Sequence, residues 1–310
     1  VGTKTVDDAQ GHWATQSGFG RLLYDFSDKY LLEANFRADA SSRFEPGKQW
    51  GYFPSVSAGW VASKEKFYPL KNVVNYMKIR GSLGELGNQS VSNYLYIPTM
   101  GINQTSYLFS GQRLWSVGAP NISSVNLSWE KVRTLDFGAD LAFFKKRLSV
   151  TYDWYQSFTT DLVGPGAAVP ALLGTAVPRE NSGEIRTRGF DLEFKWKDRI
   201  GEVYFEIGGN LANNISQVMS YNNPTQILST YRNGQVLGEL WGYKTDGLFQ
   251  TAEEIANWPN QSFLWSGRWN TGDLKYLDLD KNGVVNNGKN TVVDPGDMRI
   301  VGNERPQYLY

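Results

Sequence analysis

The sequence predicts an all-β chain that forms part of a large antiparallel transmembrane β-barrel, with about eight strands, the start of a ninth and long extracellular loops. First, apolar and polar residues alternate over segments of about ten residues; soluble strands run about 5–6 residues, whereas a tilted bilayer-crossing strand needs roughly 9–11. Second, the joins between segments are alternately short and long. Third, the chain carries 11 Trp, 17 Tyr and 16 Phe, enough for the aromatic girdles of such a barrel.

The strands are defined by a period of two, because successive strand residues point to opposite faces. In the second segment, Leu32, Ala34 and Phe36 fall on one face and Glu33 and Arg37 on the other. The segments that begin near residues 135, 190 and 203 show the same alternation. In chain order, the predicted strands are 18–26, 29–41, 51–62, 75–86, 129–143, 147–158, 187–197 and 203–217.

The joins fall into two populations, which indicate the two rims of a barrel. Short joins are expected at 25–29, 144–147 and 197–201, with a slightly longer one at 63–74. The alternate joins are about 9, 42, 28 and 90 residues long, at 42–50, 87–128, 159–186 and 218–307. Short periplasmic turns and longer extracellular loops are typical of outer-membrane barrels.

Glu253 and Glu254 lie in a segment that predicts a short solvated helix.

Composition excludes several classes of protein. Lys plus Arg and Asp plus Glu number 31 each, so no basic field indicates nucleic acid. Mean hydropathy is −0.42, and no stretch approaches the about 18 apolar residues of a helical span. There is no cysteine, and His12 is the only histidine, which leaves no thiol or multi-histidine chemistry. The sequence has no strand–GxGxxG–helix segment that would predict a phosphate-binding site. We therefore expect that the chain is not an enzyme.

Seven stretches of the chain together resemble a known family over nearly its whole length. They are FGRLLYDFSDKYLLEANFRADASSRF (19–44), WGYFPSVSAGW (50–60), MKIRGSLGELGNQ (77–89), LSWEKVRTLDFGADLAFFKKRLSVTYDWY (127–155), ENSGEIRTRGFDLEF (180–194), LWGYKTDGLFQ (240–250) and DMRIVGNERPQY (297–308). In order and spacing they resemble the C-terminal half of SusC/RagA-type TonB-dependent transporters from the outer membrane of Bacteroidetes.

The resemblance implies a fold, a function and partners. Residues 1–310 are expected to form part of the barrel without its plug domain, with 218–307 a long extracellular loop region and Tyr310 at the start of the ninth strand. The plug and the TonB-contacting segment would precede Val1. The resemblance implies import of oligosaccharides or peptides through the outer membrane together with a SusD-like surface lipoprotein, with this chain contributing barrel wall, lipid contacts and extracellular loops.

One motif predicts a structural Ca²⁺ site in the longest loop. Asp278, Asp280, Asn282 and Val284 occupy positions 1, 3, 5 and 7 of a calcium-loop pattern, with Gly283 at the turn position. Position 12, a carboxylate in an EF-hand, is a lysine here. The resemblance implies that Asp297 closes the site instead, and Asp294 is a second candidate. The alternative interpretation is an Asx-rich turn without a metal.

Aromatic residues of the long loops are the candidates for substrate contact, since a sugar ring stacks on an indole or phenol. The alternative is that they form the small cores that fold the loops. The candidates are Tyr94, Tyr96, Tyr107, Phe109, Trp115, Tyr231, Trp241, Trp258, Trp265 and Trp269. Charged residues on the wet face are expected to pair across neighbouring strands; they are Glu33, Arg37, Asp39, Arg80, Asp136, Asp191 and Glu193.

Two other functions remain open from the residues alone. A passive porin or adhesin barrel would need no TonB. A soluble carbohydrate-binding or hydrolytic β-domain would pack its apolar strand faces on each other, whereas a membrane wall would leave an apolar band about 25 Å tall facing outward.

Overall fold

The computed structural model describes residues 10–124, 127–166, 170–175 and 177–308. Within these residues it contains fourteen β-strands and one short α-helix, α1 (Ala252–Asn257). The strands, numbered in chain order, are β1 (Thr15–Phe26), β2 (Tyr30–Ser41), β3 (Trp50–Trp60), β4 (Val74–Asn88), β5 (Ile102–Phe109), β6 (Gln112–Val117), β7 (Glu130–Phe143), β8 (Leu148–Pro165), β9 (Arg179–Ile200), β10 (Val203–Ser220), β11 (Glu239–Tyr243), β12 (Thr245–Leu248), β13 (Leu274–Tyr276) and β14 (Met298–Asn303).

Eight of these strands form one antiparallel sheet in the order β1-β2-β3-β4-β7-β8-β9-β10. They correspond one for one to the eight predicted strands, and the prediction of an all-β barrel wall is confirmed. The expected start of a ninth strand at Tyr310 lies outside the described residues. α1 confirms the predicted short helix, and the described helices include none that is long and apolar enough to cross a membrane.

The two faces of this sheet differ in chemistry. Phe36 pairs with Pro54 and Phe137 pairs with Trp154, so these side chains share the apolar face. That face is not covered: the exposed fractions of Phe36 and Phe137 are 51% and 53%. Among the described residues no second sheet packs on it, which is the packing that the soluble alternative predicts. We call it the outer face, and the charged side the lumen face.

Ion pairs on the lumen face cross between strands around Arg80 of β4. Its guanidinium contacts Asp140 of β7 at 3.3 Å and Asp153 of β8 at 2.5 Å, with Asp136 3.8 Å away. Gly138 lies beneath this group; a Cβ there would stand 2.6 Å from Cζ of Arg80. A larger residue at position 138 would therefore displace the guanidinium from its place across β7.

The predicted cross-strand pairing of lumen charges is only partly correct. Glu33 pairs with Arg21 on the neighbouring strand at 2.9 Å. Arg37 instead pairs with Asp39 of its own strand at 2.6 Å, because residues i and i+2 of a strand lie on the same face. The ion pairs further include Glu193 with Lys195, again along one strand, whereas no described Lys or Arg pairs with Asp191.

Tight turns close one rim of the sheet. Ser27 and Asp28 join β1 to β2 with φ values of 57° and 52°, and the N–H of Asp28 donates to Asp25 at 2.7 Å. Residues 144–147 and 201–202 make equally short joins. At the 61–73 join, Glu65 accepts hydrogen bonds from the side chains of Lys29 and Tyr30. This rim matches the predicted short turns.

The loop predicted at 159–186 is wrong in extent, because β8 and β9 continue as a paired ribbon to Pro165 and Arg179. The register shifts between Thr159 and Val163, and Asp161 has a φ of 59°. An extra residue in one strand breaks the period of two. The alternation of apolar and polar residues therefore ends before the strand does, and the sequence predicts a loop where the strand continues.

A small core folds the loops onto the lumen face at the other rim. Phe44 and Trp129 have ring centroids 5.3 Å apart, and Phe53 of β3 meets Trp129 edge-on at 5.4 Å. Val91 and Leu127 complete this buried cluster. Trp129 also donates from Nε1 to the carbonyl of Gln49 at 2.8 Å. Both ends of the 89–129 join are thus anchored in this core, and the β5–β6 hairpin extends from between them. Tyr107 and Trp115 are exposed on that hairpin.

The longest predicted loop is a folded unit rather than a simple loop. Two small sheets, β11–β14 and β12–β13, organise it. It is tied to the top of β10 by hydrogen bonds from the N–H of Val218 to Gln235 and from the N–H of Leu237 to Ser216, both 2.8 Å long. Phe249 and Val285 are buried within it.

Candidate functional site at the long-loop rim

The structure brings three of the six predicted cation ligands together. Carboxylate oxygens of Asp278, Asp280 and Asp297 lie within 4.8 Å of one another. Asp297 is fully buried and accepts hydrogen bonds from the N–H of Leu279 at 2.6 Å and of Asn286 at 2.8 Å. The chain therefore folds around the Asp297 carboxylate, which lies 17 residues after Asp280 in the sequence.

The three carboxylates have different electrostatic surroundings. Burial opposes ionisation of Asp278, but backbone N–H donors, above all that of Gly283 at 2.7 Å, outweigh it and hold the pKa below its usual value. Burial and the neighbouring charges of Asp297 and Asp278 raise the pKa of Asp280. None of the three forms an ion pair with a Lys or Arg in the described part of the chain. Their mutual repulsion is thus not compensated by a cationic side chain, although Asn282 donates from Nδ2 to Asp280 at 2.9 Å.

The other three predicted ligands make contacts of their own. Asn282 accepts from the N–H of Val284 at 2.8 Å, and the carbonyl of Val284 accepts from Asn286 at 3.1 Å. Asp294 pairs with Lys289 at 3.9 Å and is outside the group of three. These bonds are those of the alternative Asx-rich turn, in which Gly283 takes a φ of 85°. A bound cation stays a prediction.

Three predicted aromatic residues pack inside the 218–307 region. Trp258 donates from Nε1 to the carbonyl of Tyr276 at 2.9 Å and meets Phe249 edge-on at 6.1 Å. Trp269 lies against Tyr276, with ring centroids 6.4 Å apart. Trp241 donates to Glu239 at 3.3 Å. In these contacts the three rings serve the loop core.

The remaining aromatic candidates are more open to solvent. Tyr107, Phe109 and Trp115 lie on the β5–β6 hairpin, with exposed fractions of 83%, 70% and 68%. Tyr231 and Trp265 are each 51% exposed. Tyr94 is held by hydrogen bonds with the backbone of His12, and Tyr96 is half-buried. The surface available for stacking is therefore concentrated on the β5–β6 hairpin.

Sequence analysis missed a buried ion pair at the base of the 218–307 region. The side chains of Arg232 and Glu239 are only 5% and 10% exposed, and the two are in contact. Glu239 also accepts from the N–H of Val236 at 2.9 Å, and the guanidinium carbon lies 5.2 Å from the Trp241 ring. An arginine among Asn and Gly residues carries no local signal of burial, so only the tertiary structure reveals this pair.

Comparison with known proteins places these features in a family. The family model described as "TonB dependent receptor-like, beta-barrel" matches residues 3–303. TonB-dependent receptor P3 of Formosa agariphila is 28% identical over 310 residues, 94% of this chain and 29% of that protein. TonB-dependent receptor SusC of Bacteroides thetaiotaomicron is 33% identical over 187 residues, 58% of this chain and 18% of that protein. The chain spans less than a third of the length of these relatives.

Solved structures show the same fold. The RagAB peptide importer in its closed-closed state matches with a TM-score of 0.65 at 22% identity, over 77% of this chain and 26% of that chain. TonB-dependent receptors are outer-membrane transporters and not enzymes, in agreement with the location and the absence of catalysis that the sequence predicts. The chain belongs to the TonB-dependent receptor-like β-barrel family, and its relatives confirm the predicted resemblance to the SusC/RagA type.

Proposed function

We propose that the protein to which this chain belongs imports an oligosaccharide or a peptide across the outer membrane by a TonB-dependent mechanism. This chain supplies barrel wall and the extracellular loops that contact the substrate and a SusD-like lipoprotein. We assign the plug and the TonB contacts to the remaining length of that protein, since this chain covers 29% of its relative TonB-dependent receptor P3.

The observation that carries this proposal is the division of the sheet into two rims. One rim is closed by tight turns, and the other carries a folded core, the 218–307 region and a projecting hairpin with exposed aromatic residues. Exposed Tyr and Trp offer large contact areas at low cost in side-chain entropy. They suit both a ring-bearing substrate and the apolar part of a partner surface.

The experiment measures uptake in cells that express the full-length transporter. Defined mixtures of oligosaccharides and of peptides are supplied, and their depletion from the medium is followed by mass spectrometry. Energy-dependent depletion of one of the two mixtures is expected, and it must stop when a protonophore collapses the proton gradient. Uptake that survives the protonophore would favour the passive porin alternative.

A double variant tests the hairpin. Tyr107→Ala with Trp115→Ala is expected to raise the KM for uptake about tenfold with Vmax unchanged, since each lost aromatic contact is worth about 0.5–1.5 kcal/mol. The matched control is Phe67→Ala, which removes an aromatic side chain that is 72% exposed at the turn rim. An unchanged KM in the double variant would exclude the hairpin from substrate binding.

We further propose that Asp278, Asp280 and Asp297 hold a structural Ca²⁺ that rigidifies the 218–307 region. The support is the agreement of two independent features: the D-x-D-x-N-G spacing in the sequence and the approach of the distant Asp297 to within 4.8 Å. Calcium takes 6–8 oxygen ligands, so further carbonyls or waters would complete the shell. The ion would have no role in transport chemistry.

Calcium is expected to slow proteolysis of this region in the purified full-length transporter, because a ligand that binds only the folded form stabilises it. Cleavage rates with calcium chloride and with a chelator are compared by gel and mass spectrometry. Asp280→Asn should abolish the difference, and Glu253→Gln, an exposed acid on α1, should retain it. Equal rates with and without calcium in the unchanged protein would contradict the proposal.

A further inference from the structure

The outer face of the sheet changes from apolar to polar along one line near the long-loop rim. Along β9, Trp196, Phe194, Leu192 and Phe190 share the outer face, and the next residue of that face is Arg188. Eight residues separate Arg188 from Trp196, which is about 27 Å along the strand and about 21 Å in height at a tilt of ~40°. Arg188 therefore lies at the extracellular margin of an apolar band about 25 Å tall.

The pairing register places residues of three strands at this margin. Gln156 of β8 and Ile215 of β10 pair with Arg188. Arg186, two residues further along β9, pairs with Gln217 and with Phe158. Two arginines thus stand side by side on the lipid-facing surface, where a cation meets the headgroup layer of the outer leaflet.

Neither arginine is neutralised within the described residues. Arg188 donates from Nε to Gln156 at 2.9 Å, and Arg186 donates from Nη2 to Gln217 at 2.6 Å; both acceptors are uncharged amides. The nearest acid along the same face of β9 is Glu184, and it forms no ion pair with either arginine. By contrast, Arg133 at the same level of the sheet is paired with Glu85. The hydrogen bonds to these side-chain amides hold the two guanidinium groups in place and leave further N–H donors free.

A cavity lies directly below these two groups. It has a volume of about 350 Å³ and is lined by Trp154, Arg186, Arg188, Gly189, Phe190, Asn213, Ile215 and Gln217. Its upper part carries the arginines, with Ile215 beside Arg188, and its lower part is formed by Trp154 and Phe190, which continue the outer apolar face. Asn213 borders it and donates to the carbonyl of Gln307.

We propose that this cavity binds a phosphorylated lipid of the outer leaflet, with its phosphate on Arg186 and Arg188 and an acyl chain along Trp154, Phe190 and Ile215. Guanidinium groups match phosphate geometry and bind it with charge-assisted hydrogen bonds. The charge at the top and the apolar floor below follow the order of headgroup and acyl chain in a leaflet. The site is separate from the lumen and loop surfaces assigned to transport, so it is independent of the substrate.

Lipid binding to the purified full-length transporter is measured by native mass spectrometry with monophosphoryl lipid A and with its dephosphorylated counterpart. The unchanged protein is expected to retain the phosphorylated lipid. Its affinity for the dephosphorylated form is expected to be lower by a factor of about ten or more. Arg186→Gln with Arg188→Gln should weaken binding of the phosphorylated lipid by a similar factor and leave the weak binding of the dephosphorylated form unchanged.

Two further variants make the result decisive. Arg113→Gln removes an exposed arginine of the β5–β6 hairpin and should leave lipid binding unchanged. Arg186→Lys with Arg188→Lys keeps the charge but loses the planar fork, so binding should fall between the unchanged protein and the Gln variant; if the Gln variant fails to fold, this comparison decides. Equal retention of both lipids, or equal retention by all variants, would overturn the site. Complete displacement of the lipid by 10 mM inorganic phosphate (roughly a thousand-fold excess over protein) would show that phosphate alone is recognised and would overturn the lipid assignment.

Discussion

Arg232→Ala is expected to open the 218–307 region and to cost about 3–5 kcal/mol of its local stability, because it leaves the Glu239 carboxylate buried without a cation. The side chains of this pair are only 5% and 10% exposed. Glu239 also holds the N–H of Val236 and the indole of Trp241, so β11 loses its anchor as well. Hydrogen exchange of β11 and β14 amides in the full-length transporter should accelerate by about two to four orders of magnitude.

Two comparisons separate the buried charge from the loss of volume. Arg232→Met with Glu239→Gln removes both charges and is expected to recover more than half of the lost protection, since replacing a buried pair costs less than breaking it. Arg268→Ala changes an exposed arginine of the same region and should have no effect. Exchange in Arg232→Ala within tenfold of the unchanged protein would show that the pair does not hold this region together.

Arg80→Ala is expected to destabilise the barrel wall by about 2–3 kcal/mol, less than a fully buried pair because the Arg80 side chain is 30% exposed. The substitution leaves Asp136, Asp140 and Asp153 without a cation within 4 Å among the described residues. These carboxylates lie on adjacent strands and would repel each other. The measurement is the free energy of unfolding of the full-length protein, refolded into liposomes and titrated with guanidinium chloride.

Arg21→Ala is the matched control for this substitution. It breaks the Arg21–Glu33 pair on the same lumen face, but the Arg21 side chain is 57% exposed, so a cost of no more than about 1 kcal/mol is expected. Adding Asp153→Asn to Arg80→Ala should restore about half of the loss, because it removes one of the repelling charges. Equal costs for Arg80→Ala and Arg21→Ala would show that the Arg80 cluster has no special role.

The barrel wall was predictable because its signal is local. A strand of the wall must present apolar side chains to lipid and polar side chains to water. This requirement produces an alternation with a period of two in every segment, as in Leu32, Glu33 and Ala34. The pattern failed where a bulge shifted the phase, between Thr159 and Val163. Loop lengths then revealed the rims without any knowledge of strand pairing.

The candidate site was predictable only in part because its contacts are distant in sequence. The D-x-D-x-N-G spacing places Asp278 and Asp280 together in any fold, whereas the position of Asp297 depends on the path of the intervening residues. Aromatic composition indicated Trp258 and Trp115 equally, yet the first packs on Phe249 and the second is 68% exposed. The polar line at Arg186 and Arg188 needed the register of three strands, which no single segment encodes.

The eight-stranded sheet is a membrane wall with a lipid-facing and a water-facing side, and nitroxide scanning of β2 distinguishes these two sides. The chain contains no cysteine, so single cysteines placed from Leu32 to Arg37 carry unique labels within it. The full-length protein is reconstituted in lipid, and relaxation by oxygen and by a water-soluble nickel chelate is measured at each site by electron paramagnetic resonance.

We expect the oxygen and nickel accessibilities to alternate along β2 with a period of two and in opposite phase. Oxygen should be more effective at positions 32, 34 and 36, and the nickel chelate at positions 33, 35 and 37, because the first set faces lipid and the second the lumen. Oxygen and nickel accessibilities that rise and fall together, or that show no alternation along β2, would contradict the membrane-wall account.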